Sequence, residues 1–177
     1  MDNLEVGDII LVNHRDSKLS QVIAWFMKSR FSHTAIYIGQ FLDKTMLLET
    51  SIFQVTISDL EKYENDSNCM FEIWRLKNKP EGFNELIIKN AYPLNGQTYG
   101  WLQLFSFALK ILLARVKIYI KNLIRIGLVC DHVPLYSYKG TKCAIDLEDP
   151  ENYHTQEVYE MIVNSNEFEM IHKKDYQ

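Results

Sequence analysis

Three cysteines and five histidines are the side chains in this sequence able to serve as nucleophile or base near neutral pH. Cysteine attacks as thiolate, and with an ordinary pKa of about 8.5 it needs an imidazolium or the N-terminal end of a helix to favour that form. Cys130 lies between the apolar run IRIGLV and the segment DHVPLYSYKG, which reads as a short helix stopping near Gly140. A thiol at a helix start meets unpaired backbone N–H groups and the positive end of the dipole, and those N–H groups can also form an oxyanion hole. Pro134 fits a first helical turn, where its missing N–H costs little.

His33 opens the clearest strand pattern in the chain, SHTAIYIG, and a histidine at the end of a rigid strand is held in one orientation, as a general base requires. Glu49 ends the next apolar strand, LLET. If the two strands pair, its carboxylate accepts from the imidazole, fixes the tautomer and stabilises the imidazolium. Cys130, His33 and Glu49 are therefore the candidate triad. Cys69 and Cys143 lack such a setting and read as small apolar residues, and His14, His154 and His172 sit in polar stretches expected to be exposed and without chemistry. Zinc held by Cys130, His132, Cys143 and His33 is disfavoured because the second closely spaced ligand pair of structural zinc sites is missing, so no metal or cofactor is expected.

The elements that must position these residues follow from periodicity. Residues 5–12 read as a turn and strand, and 18–28 as an amphipathic helix with apolar positions 19, 22, 23 and 26. Strands are expected at 33–39, 45–50 and 70–76, with a further short strand at 53–57 and a helical turn at 58–63. From residue 81 the period becomes helical, ending at Pro93 and the Asn95-Gly96 turn. The expected order is an antiparallel sheet first and helices afterwards, in one domain spanning 1–177, with a polar tail at about 145–177.

The stretch 101–129 is apolar, but Lys110, Arg115, Lys117, Lys121 and Arg125 interrupt it, which argues against a membrane span. At about 100° per residue Lys110, Lys117, Lys121 and Arg125 share one narrow sector. Two readings stand: a core helix with a solvated basic edge, or an interfacial surface meeting anionic lipid.

A length of 177 residues fits one domain with its own core, and 47% apolar with 24% charged residues excludes disorder. The net charge of -4 argues against a nucleic-acid binder. The opening MDNLEVGDII lacks the pattern of a secretory signal, giving an expectation of a cytoplasmic protein, at most peripheral to a membrane.

Several short motifs then occur in a telling order: Gly7-Asp8-Ile9-Ile10, Ser32-His33-Thr34-Ala35-Ile36-Tyr37-Ile38-Gly39, Leu48-Glu49, Gly96 and Tyr99, and Cys130 followed by an acidic residue. In these the chain resembles the circularly permuted branch of the NlpC-type papain-like cysteine hydrolases, which includes YiiX-like proteins and, more distantly, lecithin retinol acyltransferase. The resemblance covers roughly residues 5–140. It implies an α+β papain-like fold of permuted NlpC type, with a central antiparallel sheet packed against helices; the helical apolar and basic insert at about 100–129 departs from the family pattern in its length and points to a modified substrate groove. It also implies a cysteine hydrolase or acyltransferase that attacks an amide or ester carbonyl through a Cys130 acyl-enzyme, with Tyr99 lining the site or helping to hold the oxyanion. Peptide and lipid substrates both lie within the resemblance, and the basic helix tilts the expectation toward lipid. The rival is a catalytically silent lipid- or peptide-binding module of the same fold. The chain departs from the family pattern after the cysteine, where Asp131 and His132 stand in place of a small residue and Glu.

Overall fold

The computed structural model describes residues 3–102, 105, 106, 109, 113 and 128–177. Strand β1 (Ile9–His14) begins with Ile9, Ile10, Leu11 and Val12, all fully buried. Four consecutive apolar residues in a strand require both faces to be covered, and β1 accordingly lies inside the sheet. It pairs antiparallel with β2 (His33–Phe41) on one side and β5 (Cys69–Leu76) on the other. Strands β3 (Lys44–Thr50) and β4 (Val55–Asp59) extend the β2 side, and β6 (Phe168–Lys174) adds to β5, giving a six-stranded antiparallel sheet in the order β4-β3-β2-β1-β5-β6.

The alternation of side chains sorts the core into two layers. Ile9, Leu11, Ile36 and Leu48 face helices α3 (Phe83–Ala91), α4 (His132–Ser137) and α5 (Thr155–Asn164). Ile10, Val12, Ala35, Tyr37 and Leu47 face the opposite way, under Leu60 and Tyr63 of the short helix α2 (Glu61–Glu64) and the residue before it. Helix α1 (Lys18–Met27) starts on a Ser17 cap that accepts from the Ser20 N–H at 3.2 Å and ends at Lys28, whose φ is 51°. The fold is thus α+β, with the sheet ahead of most of the helices in sequence.

The strands and helices expected before residue 95 all form, with shifted ends. The tail reading needs correction: residues 155–164 form α5, 168–174 form β6, and α5 buries Val158 and Ile162 in the main core. Charged residues on the solvent side of this helix and edge strand lower the segment's average hydropathy, which hid the buried face of the helix. The helices expected between 99 and 129 fall largely outside the described residues. Among the described residues no helix is long and apolar enough to cross a membrane.

The Gly7-Asp8 motif is structural. Gly7 has φ 95°, and a Cβ there would lie 2.6 Å from the Phe83 ring, so only glycine fits. Asp8 is fully buried and accepts from Arg75 Nε at 2.9 Å, Arg75 Nη2 at 2.7 Å and the Glu5 N–H at 2.8 Å. Replacing Arg75 by Leu would leave that carboxylate buried without its counter-ion, a change that costs about 3–5 kcal/mol. Urea unfolding of Arg75→Leu should show a loss of that size.

Candidate active site

His33 and Glu49 reach each other because β2 and β3 pair with Ala35 opposite Glu49, which sets His33 diagonal to Glu49 on one face of the sheet. His33 Nε2 lies 2.6 Å from Glu49 Oε2. Among the described residues Nδ1 makes no hydrogen bond.

Glu49 is 2% exposed, and a carboxylate so deeply buried requires donors. Besides His33 it accepts from Ser58 Oγ, Lys62 Nζ and Tyr63 OH. Burial works to raise its carboxyl, and His33 and Lys62 outweigh that cost and hold it well below the ordinary range. Tyr63 moves the other way, its phenol raised by burial and by the Glu49 charge, so it stays a neutral donor. Sequence reasoning missed Ser58, Lys62 and Tyr63. Ser58 had a signal: in the β3–β4 pair it lies opposite Leu47, on the face that carries Glu49.

Cys130 comes to the same place from the other side. Thr34 Oγ1 donates to the Cys130 carbonyl at 2.8 Å, and the thiol lies 3.8 Å from the Ser32 carbonyl. A cavity of about 320 Å³ is lined by Cys130, His33, Glu49 and Tyr99, together with His14, Lys62, Tyr63 and Trp101. All four residues singled out in the sequence therefore line one cavity. Tyr99 is fixed by its N–H to the Phe53 carbonyl at 2.8 Å, with its ring 4.8 Å from that of Trp101, and burial raises its phenol, with Cys130 and Asp131 adding to the rise.

The helix-start argument for Cys130 fails on two counts. Helix α4 has only six residues and begins at His132, and the His132 and Val133 N–H groups are taken by the Val129 and Cys130 carbonyls at 3.1 and 3.3 Å, so they are not free for an oxyanion. The thiol itself is raised well above its ordinary range by burial and then by the Asp131 carboxylate, with the backbone N–H groups of Thr34 and Asp131 only partly offsetting them. Cys69 is likewise raised by burial, to about 12, and burial also raises Cys143.

Asp131 is the unexpected neighbour. It is 3% exposed, with Oδ2 2.9 Å from Thr155 Oγ1 and 3.7 Å from Cys130 Sγ, and its Oδ1 is buried with no hydrogen-bond partner among the described residues. Burial raises its carboxyl to about 6 against the opposing pull of Thr155 and His33. His132 is fully buried, its pKa lowered to about 4 by that burial, with Nδ1 accepting the Val129 N–H at 3.3 Å. His14 also departs from expectation. It is only partly exposed, lines the cavity and pairs through Nδ1 with Asp66 Oδ2 at 3.2 Å.

No family model matches the chain, and no curated protein matches it. Among solved structures it is similar to the crystal structure of the metalloprotein YiiX from Escherichia coli O157:H7 (DUF1105), with a TM-score of 0.54 over 96% of this chain and 97% of that one at 13% identity. The fold is YiiX-like. That neighbour's description raises the question of a metal. Among the described residues no group of three or more His, Cys, Asp and Glu is placed to hold an ion. The nearest approach, His33 with Glu49, has both carboxylate oxygens engaged and the Lys62 ammonium against them, a donor set that repels a cation. The residues present do not fit a metal at this cavity.

The Asp131 carboxyl opposes thiolate formation, so Asp131→Asn should speed alkylation of Cys130 by iodoacetamide at pH 7.5 by about tenfold, the equivalent of one pKa unit. The folded state favours protonated Asp131, whose carboxyl is raised from 3.8 to about 6. Its favourable contribution is complete below the lower value and lost as pH rises through the upper one. The Tm of Asp131→Asn relative to the unaltered chain should therefore rise between pH 4 and pH 7.

Proposed function

We propose that this chain is a cysteine hydrolase or acyltransferase of the permuted papain-like, NlpC type, acting on an amide or ester bond. The observation that carries the reading is the 2.6 Å His33–Glu49 pair, with its second ring nitrogen uncommitted, on the wall of a cavity that the Cys130 thiol also lines. The YiiX-like fold supports it only at the level of architecture.

The chemistry suits a thiol that rests protonated. Its proton passes to His33 Nδ1 as Sγ bonds to the substrate carbonyl carbon and the carbonyl π pair moves to oxygen, so oxyanion and imidazolium form together with the attack. Glu49 holds the imidazole by Nε2 and balances its charge. Collapse of the tetrahedral intermediate breaks the bond to the amine or alcohol, which takes the proton from His33 and leaves an acyl group on Sγ. A protonated resting thiol makes the Asp131 carboxylate tolerable beside it, and a substrate that displaces water from the cavity strengthens the imidazolium–oxyanion attraction.

The burial of Cys130 favours one alternative, a silent binding module whose thiol is idle. Timed labelling with iodoacetamide, read residue by residue, separates the two. The hydrolase reading expects Cys130 to label faster than Cys69 and Cys143, to lose that lead in His33→Ala, and to support p-nitrophenyl ester cleavage that falls by about 10²–10⁴ in the same variant. Equal labelling of all three thiols with no Cys130-dependent cleavage would leave the binding module.

Apolar substrates are favoured by the cavity mouth, where Ile52 is 54% and Trp101 43% exposed and the adjoining Phe53 and Leu102 are 79% and 56% exposed. The basic residues Lys110, Lys117, Lys121 and Arg125 lie outside the described residues, and we propose from their spacing alone that they meet anionic lipid. Flotation with anionic but not neutral liposomes is expected, and a Lys117→Glu/Lys121→Glu variant that still floats would refute the contact.

A further inference from the structure

The cavity contains a second histidine–carboxylate pair that the acylation step above leaves unused. His14 closes β1, and the register that sets Val12 opposite His33 puts His14 on the same face of the sheet, one repeat further along. Its Nδ1 meets Asp66 Oδ2 at 3.2 Å, and Asp66 is itself held by the Asn68 N–H, which donates to Oδ1 at 2.8 Å. The Tyr63 ring stands between the two imidazoles, 5.6 Å from His14 and 6.5 Å from His33. Ser17 and Ser20 line the cavity beside them.

We infer that His14, oriented by Asp66, is the general base for the acceptor that resolves the acyl-enzyme, leaving His33 to serve Cys130. The inference rests on the proposed acyl-enzyme chemistry. With Nδ1 donating to Asp66, the neutral ring has its lone pair on Nε2, the arrangement in which a carboxylate fixes the tautomer of a base. A base for water or an alcohol must be unprotonated at neutral pH. Burial lowers the His14 pKa, with Asp66 opposing and the His33 and Lys62 charges adding to the fall. Tyr63, which also touches the ring, stays neutral.

The step balances as follows. An acceptor H–X gives its proton to His14 Nε2 while X bonds to the acyl carbon. The C–Sγ bond then breaks with its electron pair going to sulfur. The thiolate takes up a proton and His14 releases one to solvent, restoring both groups. The acceptor is a small hydroxyl compound, water included, that enters the cavity His14 lines.

The test uses the whole chain and p-nitrophenyl acetate, with acetyl-Cys130 followed by intact mass and p-nitrophenolate release followed by absorbance. His14→Gln keeps a hydrogen-bonding side chain toward Asp66 and is expected to form acetyl-Cys130 at the unaltered rate, within about twofold, and to lose it about 10²-fold more slowly. Hydroxylamine, a nucleophile that needs no base at neutral pH, should restore its turnover. Asp66→Asn should show a smaller loss of the same kind. If deacylation is unchanged in His14→Gln, or if formation and loss of the adduct fall together without hydroxylamine rescue, His14 is a structural partner of the Asp66 turn and the inference fails. If the unaltered chain forms no acetyl-Cys130, the proposed function fails and takes this inference with it.

Discussion

A carboxylate buried at the end of a strand organises the functional half of this molecule. Glu49 has almost no contact with water, and four side chains from three different segments converge on its two oxygens. Leaving such a charge without partners costs several kcal/mol, so the donors are conditions for the fold as much as parts of a site. Satisfying Glu49 requires β4 to pair with β3 so that Ser58 points inward, and α2 to sit across the sheet so that Lys62 and Tyr63 arrive together. His33 completes the set from β2. The histidine is therefore oriented by an interaction that the protein must make anyway.

The cysteine is placed by a different principle. Its environment, viewed electrostatically, discourages ionisation: burial and Asp131 both favour the thiol over the thiolate. Reactive thiols that rest as thiolates sit in electropositive, partly open surroundings, and this one does not. The two facts are compatible when the proton moves in the same step as the attack, because the pair of charges then forms only while substrate occupies the cavity.

Much of this was legible in the sequence. The run Ile9-Ile10-Leu11-Val12 could hardly be anything but an inner strand, and the alternation after His33 fixed β2 and, with it, the position of the imidazole. The pairing of His33 with Glu49 followed from two adjacent strands. What failed were inferences that treated a local pattern as a tertiary environment. Polar neighbours made His14 look exposed, whereas the end of β1 is covered by Tyr63 and the Asp66 turn. A helix start made Cys130 look activated, whereas a six-residue helix whose first N–H groups are already spent offers little to a thiolate. Lys62 and Tyr63 carried no signal because their partner is thirteen and fourteen residues away, on another element.

The position of Cys130 depends on β2 as well as on its own chain neighbours. Thr34 grips the Cys130 carbonyl, and Sγ rests near the carbonyl of Ser32, so both atoms are referenced to the strand that carries His33. The segment between Tyr99 and Leu128 is pinned at its ends: Leu128 donates to the Thr98 carbonyl at 3.1 Å and accepts from the Gly100 N–H at 2.9 Å. The thiol and the imidazole are thus held in register by β2 and by the bridge at Leu128, both set by backbone and side-chain hydrogen bonds rather than by the helix that follows the cysteine.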